Sequence, residues 1–281
     1  MRRHAEALAR LLGDRAEVRF GHHDRMLYAT DASIYQVEPL GVVVPKNIDA
    51  AGEAARYCVE HRLPILPRGG GTSLAGQGVN EAVVIDFSAH CHKLEWVSEE
   101  TKACFVQPGV SIDDLNDSIK ASGLFFAPDP ATARQCNIGG AIGNNAAGTR
   151  SIMYGRTAEN LEAVSVLLAV PECRSPVSLG EGTCLSDPFA RRLGEGVVNI
   201  VRRHERLIRE RFPKTLRRNA GYALDMMLAA IDAARAAGMD PLAKLNLAHL
   251  VCGSEGTLAV TVGATLKLHP IPKAKGLAVL G

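Results

Sequence analysis

Apolar and polar positions along the chain follow two periods, and the switches between them mark most of its elements. Residues 3–13 set leucines and alanines at helical spacing among arginines, which predicts a short amphipathic helix stopped at Gly13. Polar loop material follows, through GHHDRMLYATDASIYQVEP. Residues 40–45 (LGVVVP) form an unbroken β-branched run closed by proline and predict a strand. The helical period returns over 48–62 (IDAAGEAARYCVEHR), and 63–67 (LPILP) and 82–88 (AVVIDFS) predict two further strands. That order predicts a small parallel or mixed sheet covered by a helix.

A second block opens near residue 95. The run 102–110 (KACFVQPGV) predicts a strand ending in Pro-Gly, and 111–123 (SIDDLNDSIKASG) a helix with a serine N-cap and a glycine stop. A loop leads to 138–155 (IGGAIGNNAAGTRSIMYG), rich in glycine and small residues. Residues 161–170 predict a strand, 187–212 an arginine-rich helix, 222–237 an alanine-rich helix, and 253–270 a long alternating strand pair. There is no internal repeat. The expected organisation is an N-terminal helix and loop (1–35), a first subdomain (36–95), a second (96–272) joined without a flexible linker, and the start of a further domain (273–281).

Composition narrows the classes. The 281 residues are 47% hydrophobic and 22% charged, with a formal net charge of +2, so a globular core is expected and no general affinity for nucleic acid or membrane. Seven scattered cysteines without a CxxC pair fit reduced thiols in a cytoplasmic protein better than a disulfide framework. Charges interrupt the apolar pattern at the N-terminus, unlike a signal peptide, and no apolar run reaches transmembrane length.

The candidate chemistry lies in the glycines. PRGGGTSLAGQG (67–78) places five glycines between apolar runs, although glycine is entropically costly to order. One reading is a nest of main-chain N–H groups facing a pyrophosphate, helped by the Thr72 and Ser73 hydroxyls and the charge of Arg68. The other is a tight hairpin with glycine turns. The span from Gly71 reaches Gly76 but lacks the lysine of a Walker loop, and Gly69-Gly70-Gly71 followed by Thr72, Ser73 and Leu74 does not fit GxGxxG. GGAIGNNAAG (139–148) and GSEGT (253–257) are two more segments nearly free of bulk. Three close-approach segments suit an extended cofactor better than a compact ligand.

These segments (PRGGGTSLAGQ, PDPATARQCNIGGAIGNNAAGTRSIMYG and LVCGSEGTLAVTVGATLKLHP) resemble the FAD-binding domain of the FAD-linked oxidase family, the vanillyl-alcohol oxidase or PCMH-type flavoproteins. Within it, the chain looks most like flavin-dependent D-2-hydroxyacid dehydrogenases, over residues 30–272. The resemblance implies an α+β fold of two α/β subdomains with FAD between them. Carried across motif by motif, Pro67, Arg68, Gly69, Gly70, Gly71, Thr72, Ser73, Leu74, Gly76 and Gln77 would wrap the pyrophosphate. Pro108 and Gly109 would lie along the cofactor, and Pro128, Asp129 and Thr132 would approach the isoalloxazine. Asn137, Ile138, Gly139, Gly140, Gly143, Asn144, Ala146, Gly148, Tyr154 and Gly155 would hold the ribityl and flavin region. Glu255, Gly256 and Val260 would close the pocket. Thr72 stands where covalent members place a histidine, so noncovalent FAD is expected.

The implied reaction is oxidation of a small D-2-hydroxy acid to a 2-oxo acid by hydride transfer to flavin N5, with an unidentified electron acceptor. Arg217 or Arg218 could pair with the substrate carboxylate, with Asn219 and Tyr222 orienting the substrate, while Asp225 and Met226 look structural. His249 has apolar flanks that mark a core residue rather than a base. His22-His23 and His90-Cys91-His92 are too tightly spaced to converge on a metal. The family adds a substrate-covering domain after the last strand, so a cap in cis or a partner subunit is expected to complete the site. Alternatives are an alcohol, sugar or cell-wall-precursor oxidoreductase of the same superfamily, or a non-catalytic flavin-binding module.

Overall fold

The computed structural model describes residues 1–170, 172–215, 218–274 and 276. The first part contains α1 (Arg2–Leu12), β1 (Ala16–Arg19), α2 (His22–Leu27), β2 (Gly41–Pro45), α3 (Ile48–Glu60), β3 (Ile65–Arg68) and β4 (Val83–Asp86). The strands form a four-stranded sheet in the order β1-β2-β4-β3. Strands β2, β4 and β3 are parallel, and β1 closes one edge antiparallel to β2. All five residues of β2 and all four of β4 are buried, which is why β2, and β4 up to its last residue Asp86, are continuous apolar runs rather than alternations. Asn47 caps α3 by accepting from the Ala50 N–H, and the helix buries Ala50, Ala51, Ala54, Ala55 and Cys58.

The second part runs through β5 (Leu94–Ser98), β6 (Ala103–Val106), α4 (Ile112–Ile119), β7 (Leu124–Phe125), α5 (Ile138–Asn144), α6 (Ser151–Tyr154), β8 (Leu161–Leu167) and β9 (Val177–Gly180). It continues through α7 (Thr183–Ser186), α8 (Pro188–Arg203), α9 (Glu205–Arg211), α10 (Leu224–Ala236), α11 (Ala248–Val251), β10 (Val260–Lys267) and β11 (His269–Pro270). Its main sheet is antiparallel, in the order β5-β6-β10-β8-β9. The expected strand pair over 253–270 is a single central strand, β10. Among the described residues, only the two of β11 follow it as strand, paired with β7. The arginine-rich helix expected over 187–212 is two helices, parted at His204.

The alanine-rich α3 joins the two parts. Its buried alanines share one apolar cluster with Leu167 of β8 and with Val260 and Val262 of β10. A Cβ built on Gly52 would lie 3.4 Å from Leu167 Cδ1, so the helix rests on the second sheet through small residues. The larger core lies under the second sheet, among α4, α5, α8 and α10. All seven cysteines are free and buried. Among the described residues, no helix is long and apolar enough to cross a membrane.

Candidate cofactor-binding cleft

The loop after β3 is shaped by what its glycines touch. Gly71 and Gly76 take φ of 64° and 84°, the left-handed region that glycine enters without strain. A Cβ on Gly70 would meet the Gln135 carbonyl oxygen at 2.1 Å, and one on Gly69 would meet Asn137 Oδ1 at 2.6 Å. The loop therefore packs closely against the Gln135 backbone and the Asn137 side chain. Among the described residues, the main-chain N–H groups of Gly69, Gly70, Gly71, Thr72 and Ser73 donate to no protein acceptor. Five consecutive unpaired donors are rare in a folded chain unless they face water or a ligand.

The opposite wall is α5. It buries Ile138, Ala141 and Ile142 and turns Gly139, Gly140 and Gly143 toward the loop. A Cβ on Gly140 would meet nothing within 4 Å, and one on Gly143 would lie 3.9 Å from Glu255 Cα. Asn144 Nδ2 donates to Ser73 Oγ at 3.1 Å, and Gln77 Nε2 donates to Glu255 Oε1 at 3.3 Å across the cleft. The third wall is the turn before β10, where Glu255 and Gly256 both adopt positive φ, 51° and 77°. The cavity between these walls measures about 450 Å³. A second cavity of about 600 Å³, between α3 and the β8–β10 pair, shares Ile65, Pro67, Gly256, Thr257 and Ala259 with it. Inside the cleft, Asn137 donates from Nδ2 to the Gly109 carbonyl at 2.5 Å, while its buried Oδ1 has no partner among the described residues.

The cleft brings together Pro67, Arg68, Gly69, Gly70, Gly71, Thr72, Ser73, Gly76, Gln77, Pro108, Asn137, Gly139, Gly140, Gly143, Asn144, Glu255 and Gly256 of the expected residues. Others lie elsewhere. Leu74 points to solvent, 78% exposed, and Ile138 is core. Gly109 is pressed against the Phe87 and Cys91 carbonyls, and Val260 lines the second cavity. Pro128 is buried, and the Thr132 carbonyl accepts from the N–H groups of Gln135 and Cys136. Asp129 accepts from Thr149 Oγ1 at 2.8 Å and the Arg150 N–H at 2.9 Å, bracing the turn at Gly148. The Ala146 carbonyl accepts from Thr157, and Tyr154 packs edge-on against Phe125 and His269, ahead of the left-handed Gly155.

Two expectations are corrected. The Arg68 guanidinium does not present its charge to the cleft: it donates to the carbonyls of Tyr28 (2.9 Å), Gly78 (2.9 Å) and Thr30 (2.7 Å). The Arg218 guanidinium is not available to a substrate carboxylate. It grips Asp225 at 2.5–2.6 Å with its Cζ 4.5 Å from the centre of the Phe212 ring, so Asp225 is its ion-pair partner. Arg217 lies outside the described residues, as do residue 275 and residues 277–281. Tyr222 shares a 2.9 Å hydrogen bond with Thr257 Oγ1 at the cleft edge, and Asn219 Oδ1 is buried with no partner among the described residues. His249 is half-buried with its Nε2 against the Leu161 carbonyl, and burial lowers its pKa. His22 contacts Glu38 and His92 the Ser88 carbonyl. Among the described residues, no group of three or more His, Cys, Asp or Glu could hold a metal.

Sequence reasoning missed the rear of the loop. Residues 28–35, taken as polar loop, lie along its back. The Ala32 N–H donates to the Gly71 carbonyl at 2.9 Å, Asp31 Oδ2 accepts from the Gly78 N–H at 3.0 Å, and the Tyr35 ring sits against Gly76. The only signal in the chain was its aspartate and hydroxyl content, typical of local turns.

Two sheets bridged by α3, with a glycine-lined trough where the β3 loop, α5 and the turn before β10 meet, make up a fold of the PCMH type. Residues 39–173 match the FAD binding domain family. The chain is 33% identical over 261 residues to D-2-hydroxyglutarate dehydrogenase of Escherichia coli (strain K12), a match covering 90% of this chain and 25% of the relative. It is 34% identical over 268 residues to the enzyme of that name from Pseudomonas putida, covering 93% and 26%. To the glycolate oxidase subunit GlcD of Bacillus subtilis it is 29% identical, covering 89% and 42%. An alkyldihydroxyacetonephosphate synthase structure superposes with a TM-score of 0.65 at 18% identity, covering 98% of this chain and 41% of that one. The chain thus carries, over residues 39–173, a segment that matches the FAD binding domain, and it spans about a quarter of the length of the D-2-hydroxyglutarate dehydrogenases it matches.

Proposed function

We propose that the cleft binds FAD noncovalently, with the pyrophosphate on the N–H groups of Gly69 to Ser73, in an enzyme that oxidises a D-2-hydroxy acid to the 2-oxo acid. The unpaired run of five main-chain donors carries this reading. Arg68 and Glu255 are the charged residues lining the cleft, and Arg68 is engaged behind the loop, so an anion there would be held by peptide dipoles. Two features fit the cofactor. The buried Asn137 Oδ1 needs a donor, and the open space at Gly140 admits a planar group where any side chain would intrude. Thr72 offers no imidazole for a covalent link. Burial pushes up the pKa of the Cys136 thiol in the cleft, leaving little thiolate to form one.

Bound FAD supplies a two-electron acceptor for the substrate's carbinol carbon. The chain's own contribution is orientation. Tyr222, through Thr257, and Asn219, whose Oδ1 has no partner among the described residues, stand on the segment that passes Gly253 beside the cleft. The relatives named D-2-hydroxyglutarate dehydrogenase support that acid as substrate ahead of D-lactate or glycolate. The test is anaerobic addition of D-2-hydroxyglutarate, D-lactate and their L-isomers to the FAD-loaded full-length gene product. Bleaching of the flavin spectrum by a D-isomer alone is expected. A folded protein that takes up no FAD overturns the cofactor assignment, and bleaching by neither D-acid overturns the reaction.

A further inference from the structure

We infer that Arg68 serves the nucleotide as a positioning residue, a guanidinium fork that holds residues 28–35 against the rear of the loop, rather than as a cation at the phosphates. This rests on the FAD assignment above. Arg68 ends β3, so its backbone enters the loop while its side chain turns back under it. Nη1 donates to the Tyr28 and Gly78 carbonyls and Nη2 to the Thr30 carbonyl. Cζ lies 5.4 Å from the centre of the Tyr28 ring, and the Tyr28 hydroxyl donates to Asp86 Oδ2 at 2.6 Å, on the strand next to β3. One planar group thus joins the beginning of the loop, its end at Gly78, and the segment behind it. A lysine offers a single point of charge and cannot span three carbonyls in a fixed plane.

The consequence is the direction of the loop's peptide groups. Once Tyr28 and Thr30 are fixed, the Ala32 N–H is placed to take the Gly71 carbonyl, and Asp31 to take the Gly78 N–H. With the Gly71 carbonyl drawn backward, the run of N–H groups from Gly69 to Ser73 is left without protein acceptors on the cleft side. Gly71 also makes room for the fork: a Cβ there would stand 2.8 Å from Arg68 Nη2. The donors are thus oriented before the ligand arrives, which lowers the cost of binding.

The test is an FAD titration of the wild-type chain and of Arg68→Lys, Arg68→Ala and Asp31→Ala, each at low and high salt, with thermal unfolding of the apoproteins. Arg68→Lys is expected to weaken FAD as much as Arg68→Ala, by on the order of tenfold or more for the lost hydrogen bonds. Both should keep the wild-type slope of affinity against salt. Millimolar methylguanidinium should restore FAD affinity to Arg68→Ala and leave Arg68→Lys unchanged. Asp31→Ala, which leaves the arginine intact, should also weaken FAD, and it carries the test with Arg68→Lys should Arg68→Ala not fold. Wild-type affinity in folded Arg68→Lys, or a flattened salt dependence in Arg68→Ala, overturns the inference while leaving the FAD assignment standing. A wild-type chain that binds no FAD overturns the assignment itself.

Discussion

Three glycines of the cleft are there for three physical reasons, and substitution should separate them. Gly71 is required by its backbone angle and by the Arg68 guanidinium beside it. Gly70 is required by contact, since any Cβ would collide with the Gln135 carbonyl. Gly140 is required by neither, for a side chain there would enter open space on a helix. Gly140→Leu should therefore keep or raise the apoprotein's thermal midpoint, because leucine is favoured over glycine in a helix by about 0.5–1 kcal/mol. It should also abolish FAD uptake, because the leucine fills the cleft. Differential scanning fluorimetry and flavin fluorescence quenching check the two halves, and an unchanged FAD affinity would remove α5 from the site. The glycine clusters themselves were legible in the sequence. The use of Arg68 and Arg218 was not, because a sequence displays a charge without showing which groups consume it.

At the scale of elements, legibility followed burial. The two fully buried strands β2 and β4, and the helices α1, α3, α4 and α10, stand close to where their apolar patterns put them. The strands that went unread, β1, β5, β7 and β9, are all edge strands. β5 leaves its three central residues exposed and β7 is only two residues long, so no clean apolar period marks them. The segment 28–35 has no regular structure to announce it, yet it braces the loop. Its acid, Asp31, titrates below its ordinary value of 3.8: burial opposes ionisation, but hydrogen bonds from Ser33 and Gly78 and the nearby charge of Arg68 outweigh it. A carboxyl held low when folded contributes stability that is fully present above its unfolded pKa and lost as pH falls through the folded one. FAD affinity and unfolding free energy should therefore fall together below about pH 4. Asp31→Asn should flatten that part of the profile, and equal acid sensitivity in wild type and variant would contradict the role given to Asp31.

For the whole molecule, the two sheets meet through α3, and the trough depends on that seating. The alanine face that made α3 easy to recognise also lets it approach β8 and β10 closely, with Leu167 against Gly52. The order of strands and helices predicted two such layers. Their spacing was invisible, since it depends on contacts between residues more than a hundred positions apart. The buried thiols distributed through both layers have a practical use. Burial pushes the sulfhydryls of Cys58, Cys91 and Cys104 up to about 12, so at neutral pH they are both shielded and protonated. A thiol-modifying reagent should leave them alone until the chain opens, which makes alkylation a clock for transient unfolding. Where modification proceeds through global opening, FAD at a hundred times its dissociation constant should slow that clock by about a hundredfold. A flavin nucleotide held between the layers would then write its affinity into the survival of cysteines it never touches.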